Sequence, residues 1–204
     1  MKPVSREDRN NLDMLARRMR ETWDSCGHPD GPVAGNAVRG RGFLSLGRKS
    51  VMISRALEGR RLTDLGAAEP SGMLEFARAY GASEYVGVDS FFDYSGRSLP
   101  GRAKLVNDDL LRYLFSQDDG SSNIVMNAID GVVLMNPDRV IEETYSQLLL
   151  MQIARVIPPG GIAFGLLSPV LRGLGAYGFV KVGRTDAGPL EDMEELHRKP
   201  LRQI

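Results

Sequence analysis

Hydrophobic positions follow two different periods along the middle of the chain. A short apolar run ends at Asp64 and predicts a buried strand, and a second run over residues 85–88 ends at Asp89. Between these runs, apolar side chains recur at helical spacing from Met73 to Tyr80. A turn rich in glycine and proline separates the first run from the helical segment. The pattern therefore predicts a strand, a turn, a helix and a second strand, with an acidic residue at the end of each strand.

The predicted helix carries a start signal and a stop signal. Ser71 is a predicted N-cap, because its hydroxyl can accept a hydrogen bond from the unpaired N–H groups of the first turn. Gly81 is the predicted stop, since glycine readily takes the left-handed conformation that ends many helices.

The rest of the chain continues the alternation of apolar runs and helical patterns, without internal repeats. Helices are predicted over residues 5–26, 50–57, 109–115 and 138–156 and in a short stretch up to Tyr177. Further strands are predicted over residues 104–109, 122–128, 178–183 and 193–199, with another strand after the Pro-Gly turn at 158–161.

The central unit has the chemistry of a nucleotide site. Gly66 allows a ligand to approach the backbone closely, and the start of the helix offers unpaired N–H groups. The carboxylate of Asp89 can accept two hydrogen bonds from a ribose diol. A dinucleotide is disfavoured, because Ala68 stands at the second glycine of Gly-x-Gly-x-x-Gly and Gly72 comes one residue too late. The unit therefore predicts a site for an adenosine-containing cofactor, and a nicotinamide-dependent dehydrogenase is the least favoured enzyme.

Four short motifs, taken in order, resemble those of the class I S-adenosylmethionine-dependent methyltransferases. Residues 64–66 resemble the first motif, residues 86–89 the second and residues 108–109 the third. The turn at residues 159–161 is similar to the one that follows the catalytic strand of that family. The resemblance implies an α/β fold with a doubly wound, seven-stranded, mostly parallel sheet. Its strand order would be 3-2-1-4-5-7-6, with helices on both faces, plus an N-terminal helix and loop.

The resemblance also implies S-adenosyl-L-methionine as cofactor, bound at the carboxyl edge of the sheet. The residues that it assigns to cofactor binding are Asp64, Gly66, Ala68, Gly72, Asp89, Ser90, Phe91, Asp108, Asp109 and Asn127. Two of these assignments have alternatives. Phe91 could equally serve packing, and Asp108 lies where the N-terminus of a helix alone favours a carboxylate.

The first loop departs from the family pattern. Ala68 replaces a glycine, and residues 67–71 make the loop longer than usual. Glu69 places a negative charge near the expected position of the sulfonium, where it would either help to hold a cation or mark a loop that no longer binds. A catalytically inactive protein of this fold, acting as a binding or scaffold subunit, is therefore the alternative to a methyltransferase.

Candidates for catalysis are few, because the cofactor carries the reactive group. Asp130, near the end of the fourth predicted strand, is the candidate for orienting an acceptor, and its alternative role is to cap a turn. Methyltransferases that modify DNA bases or glutamine carry Asn or Asp followed by Pro-Pro-Tyr there, whereas residues 127–130 differ. His28 and His197 are isolated, and no cluster has the spacing of metal ligands.

We divide the chain into residues 1–49, a helix with a lid-like loop, and residues 50–204, a Rossmann-like methyltransferase domain. An apolar stripe on the first helix predicts packing on the domain, and the alternatives are a lid over the cofactor or a homodimer contact. The stripe consists of Leu12, Leu15, Met19 and Trp23. The loop over residues 27–47 is long for a compact domain, so its closure over the cofactor is a further hypothesis.

Composition limits the expected partners and location. The chain has 26 basic and 26 acidic residues, and this balance argues against a broad nucleic-acid surface. No apolar run is long enough for a membrane span, and the start is too polar for a signal peptide. The single cysteine, Cys26, fits a reducing compartment, so we expect a cytoplasmic protein. The expected acceptor is a small molecule or another unidentified substrate.

Overall fold

A computed structural model describes residues 6–25, 51–126, 139–165, 169–182 and 195–201. The helices are α1 (Arg6–Ser25), α2 (Val51–Leu57), α3 (Ser71–Ala79), α4 (Leu110–Ser116), α5 (Arg139–Val156) and α6 (Pro169–Arg172), followed by a 3₁₀ turn (Gly173–Tyr177). The strands are β1 (Arg61–Leu65), β2 (Glu84–Asp89), β3 (Ala103–Asn107), β4 (Asn123–Met126), β5 (Ile162–Gly165), β6 (Val180–Lys181) and β7 (Glu195–Arg198). No helix in these ranges has the length and apolar character needed to cross a membrane.

The seven strands form one sheet in the order β3-β2-β1-β4-β5-β7-β6. The pairs among β1 to β5 are parallel, and β7 pairs antiparallel with both β5 and β6. The strand order therefore confirms the α/β fold that the resemblance implies. The order reverses between β1 and β4, and ligands of such sheets bind beyond the carboxyl ends of the strands at this switch point.

Each face of the sheet is covered by its own helices. In β4, Ile124 and Met126 belong to a core cluster that includes residues of α1, α4 and α5, whereas Val125 belongs to a cluster with residues of α2 and α3. Side-chain direction alternates along a strand, so a parallel sheet buried on both faces needs apolar residues at successive positions. The apolar runs of the sequence arise from this double burial.

The N-terminal helix packs on the domain, as the first of its three interpretations predicts. Leu12 and Leu15 are buried in the same cluster as residues of α4 and α5. At the exposed side of this contact, Arg112 of α4 lies 3.5 Å from Asp13 of α1. The roles of this segment as a lid or a dimer contact stay predictions. The loop over residues 27–47 lies outside the described residues.

The ends of α3 confirm one cap prediction and correct the other. Gly81 follows the helix with φ +74°, in the left-handed conformation expected of a stop. Ser71 is the first helical residue, and Pro70 occupies the cap position without any side-chain hydrogen bond. The prediction of Ser71 as N-cap was wrong, because proline fixes its own φ near the helical value and the helix begins directly after it.

The buried side-chain amide of Asn123 connects three elements at the amino edge of the sheet. Asn123, the first residue of β4, is fully buried. Its Nδ2 donates to the carbonyls of Ala56 (2.9 Å) and Arg61 (3.4 Å), and its Oδ1 accepts from the Ile162 N–H (2.8 Å). One side chain thereby bonds to backbone groups of α2, β1 and β5, using both of its N–H donors and one of its two accepting positions.

Candidate functional site

The loop after β1 turns sharply toward β2. Gly66 has φ +72° and Ala68 has φ +41°, so two residues of this loop lie in the left-handed region. The N–H groups of Gly66 and Ala67 both donate to the Val88 carbonyl, at 2.9 and 3.2 Å. The left-handed conformation costs a residue with a Cβ about 1–2 kcal/mol. Ala68 therefore keeps the backbone shape of a glycine although it lacks glycine's freedom.

Asp89 joins this loop to the one after β2. Its Oδ2 accepts from the Ala68 N–H (3.1 Å), and its Oδ1 accepts from the N–H groups of Phe91 (2.8 Å) and Phe92 (2.9 Å). The side chain is buried, with 7% of the residue exposed. A carboxylate offers about four accepting positions, so about one remains for another donor. Asp89 is thus a fixed acceptor at the carboxyl edge, with limited free capacity.

A second carboxylate lies deeper, at the end of β1. Asp64 is fully buried, and its Oδ2 accepts a hydrogen bond from the Tyr85 hydroxyl at 2.7 Å. Burial and the charge of Asp64 raise the pKa of Tyr85 well above its ordinary value, so the phenol stays protonated and donates. Gly87 leaves room for this pair, because a Cβ there would lie 3.4 Å from the Tyr85 hydroxyl and 3.1 Å from the Ala67 Cβ.

The loop after β2 folds back onto the end of β3 and buries Tyr94. The Asn107 side chain donates to the Phe92 carbonyl and accepts from the Tyr94 N–H at 3.3 Å. The rings of Phe92 and Tyr94 lie 5.1 Å apart between centroids. The Tyr94 hydroxyl is buried, and it has no hydrogen-bond partner among the described residues. Burial and the charge of Asp89 raise the pKa of this phenol far above its ordinary value.

Two arginines lie over the phenylalanines beside Asp89. Arg20 of α1 is 4.9 Å from the centroid of the Phe91 ring and donates to the Ser90 carbonyl at 2.8 Å. Arg97 is 4.6 Å from the centroid of the Phe92 ring. Cation–π contacts of this kind contribute about 0.5–1 kcal/mol at exposed sites. Helix α1 therefore reaches the two predicted site residues that follow Asp89.

The charge of Glu69 is paired. Its Oε2 lies 2.8 Å from Arg97 Nη1, and its Oε1 accepts from the Ser71 N–H at 3.3 Å. The ion pair is partly exposed, so it contributes at most about 1 kcal/mol. It links the first loop to the loop after β2 across Asp89. The negative charge that the sequence places near the sulfonium is thus largely neutralised by an arginine of the neighbouring loop.

The two acidic residues after β3, Asp108 and Asp109, bond to the first turn of helix α4. Asp109 is the N-cap, and its Oδ1 accepts from the Arg112 N–H at 3.0 Å while its Oδ2 accepts from the Tyr145 hydroxyl at 2.9 Å. Asp108 Oδ1 accepts from the Asp109 N–H at 2.8 Å and forms an ion pair with Arg112. Burial raises the pKa of Asp109, although these hydrogen bonds oppose the shift. The geometry favours the helix-cap interpretation of these acids over adenine recognition.

The remaining predicted residues divide into two groups. Gly72 is buried in the first turn of α3, and Ser90 and Phe91 are half-buried beside Asp89. Asn127 and Asp130 lie outside the described residues, so their assignments stay predictions. His197 is buried in β7, far along the sheet order from β1 and β2.

Sequence reasoning did not single out four side chains that shape this edge. Tyr85 and Tyr94 bring hydroxyls toward carboxylates, and Arg20 and Arg97 cover phenylalanine rings. Tyr85 could have been noted as a polar group inside an apolar strand. The others lie on a helix and a loop, and their contacts depend on tertiary packing that no local pattern encodes.

No family model and no curated protein matches the chain. Similar solved structures include the plantazolicin methyltransferase BamL, in complex with S-adenosylhomocysteine (SAH). It is 12% identical, covers 90% of this chain and 68% of that one, and has a TM-score of 0.48. Haemonchus contortus phosphoethanolamine N-methyltransferase 1 is 14% identical, covering 77% of this chain and 34% of that one, with a TM-score of 0.48.

A third similar structure is a Haloferax volcanii protein in complex with the Trm112 methyltransferase activator. It is 19% identical, covers 56% of this chain and 48% of that one, and has a TM-score of 0.38. The chain spans about half or less of three such structures, namely 48%, 52% and 34% of their lengths. Likenesses this distant say nothing of the reaction. What the structure shows is the fold alone: a doubly wound α/β sheet whose strand order is the one that the resemblance to class I methyltransferases implies.

Proposed function

We propose that the chain is an S-adenosylmethionine-dependent methyltransferase that acts on an unidentified acceptor, which we take to be a small molecule. One observation carries this proposal. The carboxylate of Asp89 is held against the N–H of Ala68 at the carboxyl edge, where the first and second strands of the sheet end. This is the place at which a doubly wound sheet binds the ribose of an adenosine cofactor.

The backbone and donor–acceptor chemistry of the residues present support the proposal of this cofactor. Gly66 and Ala68 both take the left-handed conformation, and the loop therefore passes close to β2 without a long side chain in between. Asp89 has about one accepting position free for a ribose hydroxyl. Phe91 offers a half-buried ring beside it. Gly66, Ala68, Asp89 and Phe91 are the described residues that we assign to the cofactor.

The work of the protein in this proposal is binding and orientation. When bound, S-adenosylmethionine supplies a methyl group activated by the positive sulfur. Asp89 fixes the two loops relative to each other, and Arg20 brings α1 over the loop after β2. Holding two reactants in line accounts for most of the catalysis that such a displacement requires. Asp130 is the proposed residue for orienting the acceptor.

The N-terminal segment and a second copy of the chain are proposed to complete the acceptor pocket. Helix α1 contacts Ser90 and Phe91 through Arg20, so this described part of the N-terminal segment reaches the candidate site. The equal numbers of acidic and basic residues in the sequence favour a small acceptor over a nucleic acid.

A catalytically inactive binding or scaffold protein is the alternative function. Three backbone N–H groups already occupy Asp89, and Glu69 is paired with Arg97. A loop whose polar groups satisfy one another has less to offer a ligand. In this alternative, the protein has the same fold but does not bind the cofactor.

Isothermal titration of the folded chain with S-adenosylmethionine and with SAH tests the proposal. We expect saturable binding of both, with NADH as the control that produces no heat and no change in its fluorescence. Absence of heat with both sulfur compounds, from a protein that unfolds cooperatively, would establish the inactive alternative. Methyl-group release from radiolabelled cofactor to a small-molecule extract would then identify the acceptor class for an active protein.

A further inference from the structure

The hydroxyl of Tyr94 is a buried polar atom without a described partner. Only 5% of the residue is exposed, and the hydroxyl forms no hydrogen bond with any described group. Burying an unpaired hydroxyl costs about 1–3 kcal/mol, so such groups are rare in native proteins. Local violations of this kind are expected where a ligand supplies the missing partner.

The position of Tyr94 is fixed by its surroundings. Its N–H donates to Asn107 Oδ1, its carbonyl accepts from the Arg97 N–H at 3.0 Å, and its ring packs against Phe92. These contacts come from β3 and from both sides of the loop after β2. The hydroxyl therefore cannot reach another partner by a small rotation of an exposed side chain.

The charges around Tyr94 select the kind of ligand. Asp89, Asp64 and Glu69 act on the phenol with negative charge, and Arg97 opposes them. The phenol is therefore neutral at physiological pH and can both donate and accept a hydrogen bond. A ligand group placed here should carry hydroxyls, because an anion would be repelled by the carboxylates of Asp89 and Asp64, whereas Glu69 is paired with Arg97.

The free capacity of Asp89 points in the same direction. Three N–H groups leave about one accepting position on its carboxylate, whereas a ribose diol carries two hydroxyls. We infer that Asp89 binds one ribose hydroxyl of the cofactor and that the Tyr94 hydroxyl binds the other. This inference rests on the proposed function, since the ligand is the cofactor of that proposal. Tyr94 thereby becomes a determinant of specificity for ribose over deoxyribose.

The test is the substitution Tyr94→Phe, which removes the hydroxyl and keeps the ring. SAH binding, measured by titration calorimetry, should weaken about tenfold, the effect of one neutral hydrogen bond at the upper end of its range. The melting temperature without ligand should stay the same or rise, because the substitution removes a buried hydroxyl that has no partner among the described residues. Ser121→Ala is the matched control, since the Ser121 hydroxyl is also buried without a described partner but lies at the amino edge. That control should leave the affinity unchanged.

Deoxyribose analogues of SAH make the test specific. The wild-type protein should lose about tenfold in affinity for the analogue that lacks the contacted hydroxyl, and Tyr94→Phe should show no further loss with that analogue. Equal affinity of wild type and Tyr94→Phe for SAH would overturn the inference and leave the proposed function standing. If Tyr94→Phe weakens the binding of SAH and of every deoxyribose analogue by the same factor, the Tyr94 hydroxyl does not contact the ribose, and the inference is wrong. If the folded wild type binds no SAH, the proposed function fails, and the inference fails with it.

Discussion

The two edges of the sheet use buried polar side chains differently. At the amino edge, the side-chain amide of Asn123 forms hydrogen bonds with backbone groups of α2, β1 and β5. At the carboxyl edge, Asp89 holds two loops, Ala68 has a left-handed conformation, and the Tyr94 hydroxyl has no partner among the described residues. Each edge also has a buried hydroxyl without a described partner, Ser121 at the amino edge and Tyr94 at the carboxyl edge. The Asn123 amide stabilises the fold, whereas the carboxyl edge adds a left-handed Ala68 and a carboxylate, Asp89, with accepting capacity left. Natural proteins retain such costs where they bind ligands.

The largest expected effect is on the amino edge. Asn123→Ala should lower the free energy of unfolding by about 4 kcal/mol, because the Ile162 N–H and the Ala56 carbonyl lose a buried partner. Urea unfolding followed by circular dichroism measures this. The control Ser121→Ala, two residues away, removes a hydroxyl that bonds to no described group and should not lower stability. A small loss at Asn123 would mean that the two edges do not differ as described.

The second-largest expected effect is at Asp89, where the free energy of unfolding and the affinity for SAH are measured separately. Asp89→Ala should cost about 3 kcal/mol of stability, since three N–H groups lose a charged acceptor, and should weaken SAH binding at least about a hundredfold. Chemical unfolding and titration calorimetry provide the two values. Asp93→Ala is the matched control, because Asp93 lies in the same loop, is exposed and accepts hydrogen bonds from the neighbouring Ser95. Retained affinity in Asp89→Ala would remove Asp89 from the site.

A reciprocal pair of substitutions tests the strain in the first loop. Gly66→Ala should cost about 1–2 kcal/mol, because it places a Cβ at φ +72°. Ala68→Gly should instead raise stability by about 0.5–1 kcal/mol, since it relieves the residue at φ +41°. Thermal unfolding of both variants in the same buffer shows the two signs. Destabilisation by Ala68→Gly would show that the loop is not strained there.

The smallest effect concerns pH. Burial raises the pKa of Asp109, so the folded protein binds a proton more readily than the unfolded chain does. Stability associated with this group is therefore greatest at low pH and falls as pH rises from the unfolded pKa through the folded pKa. Asp109→Asn keeps an N-cap acceptor without the charge. Its stability relative to wild type should rise across that window, in parallel urea unfolding at several pH values. A difference independent of pH would contradict the shift.

The fold could be predicted because its signals are local and repeated. Apolar runs predicted the strands, the helical period between Met73 and Tyr80 predicted α3, and the end of β2 at Asp89 followed from the same pattern. The strand order followed from resemblance to a known family and is confirmed.

The finer chemistry of the site could not be predicted, because it depends on contacts between distant segments. Asp109 has its Oδ2 bonded to Tyr145, 36 residues away, and Arg20 reaches Ser90 across 70 residues. The Tyr94 hydroxyl is unusual only in its lack of a described partner, which no sequence pattern reports. Ser71 was mistaken for a cap because its neighbour Pro70 already fixes the start of the helix.

The placement of β7 has a consequence for how the protein is made. β7 follows β6 in the chain but lies between β5 and β6 in the sheet. During synthesis, β5 has an unpaired edge until residues 195–198 emerge from the ribosome. Until then, β6 also lacks the strand with which it pairs in the folded sheet. Bare strand edges invite aggregation and chaperone capture. Nascent polypeptides stalled before residue 195 should therefore be cleared by cellular proteases faster than those stalled once β7 has emerged.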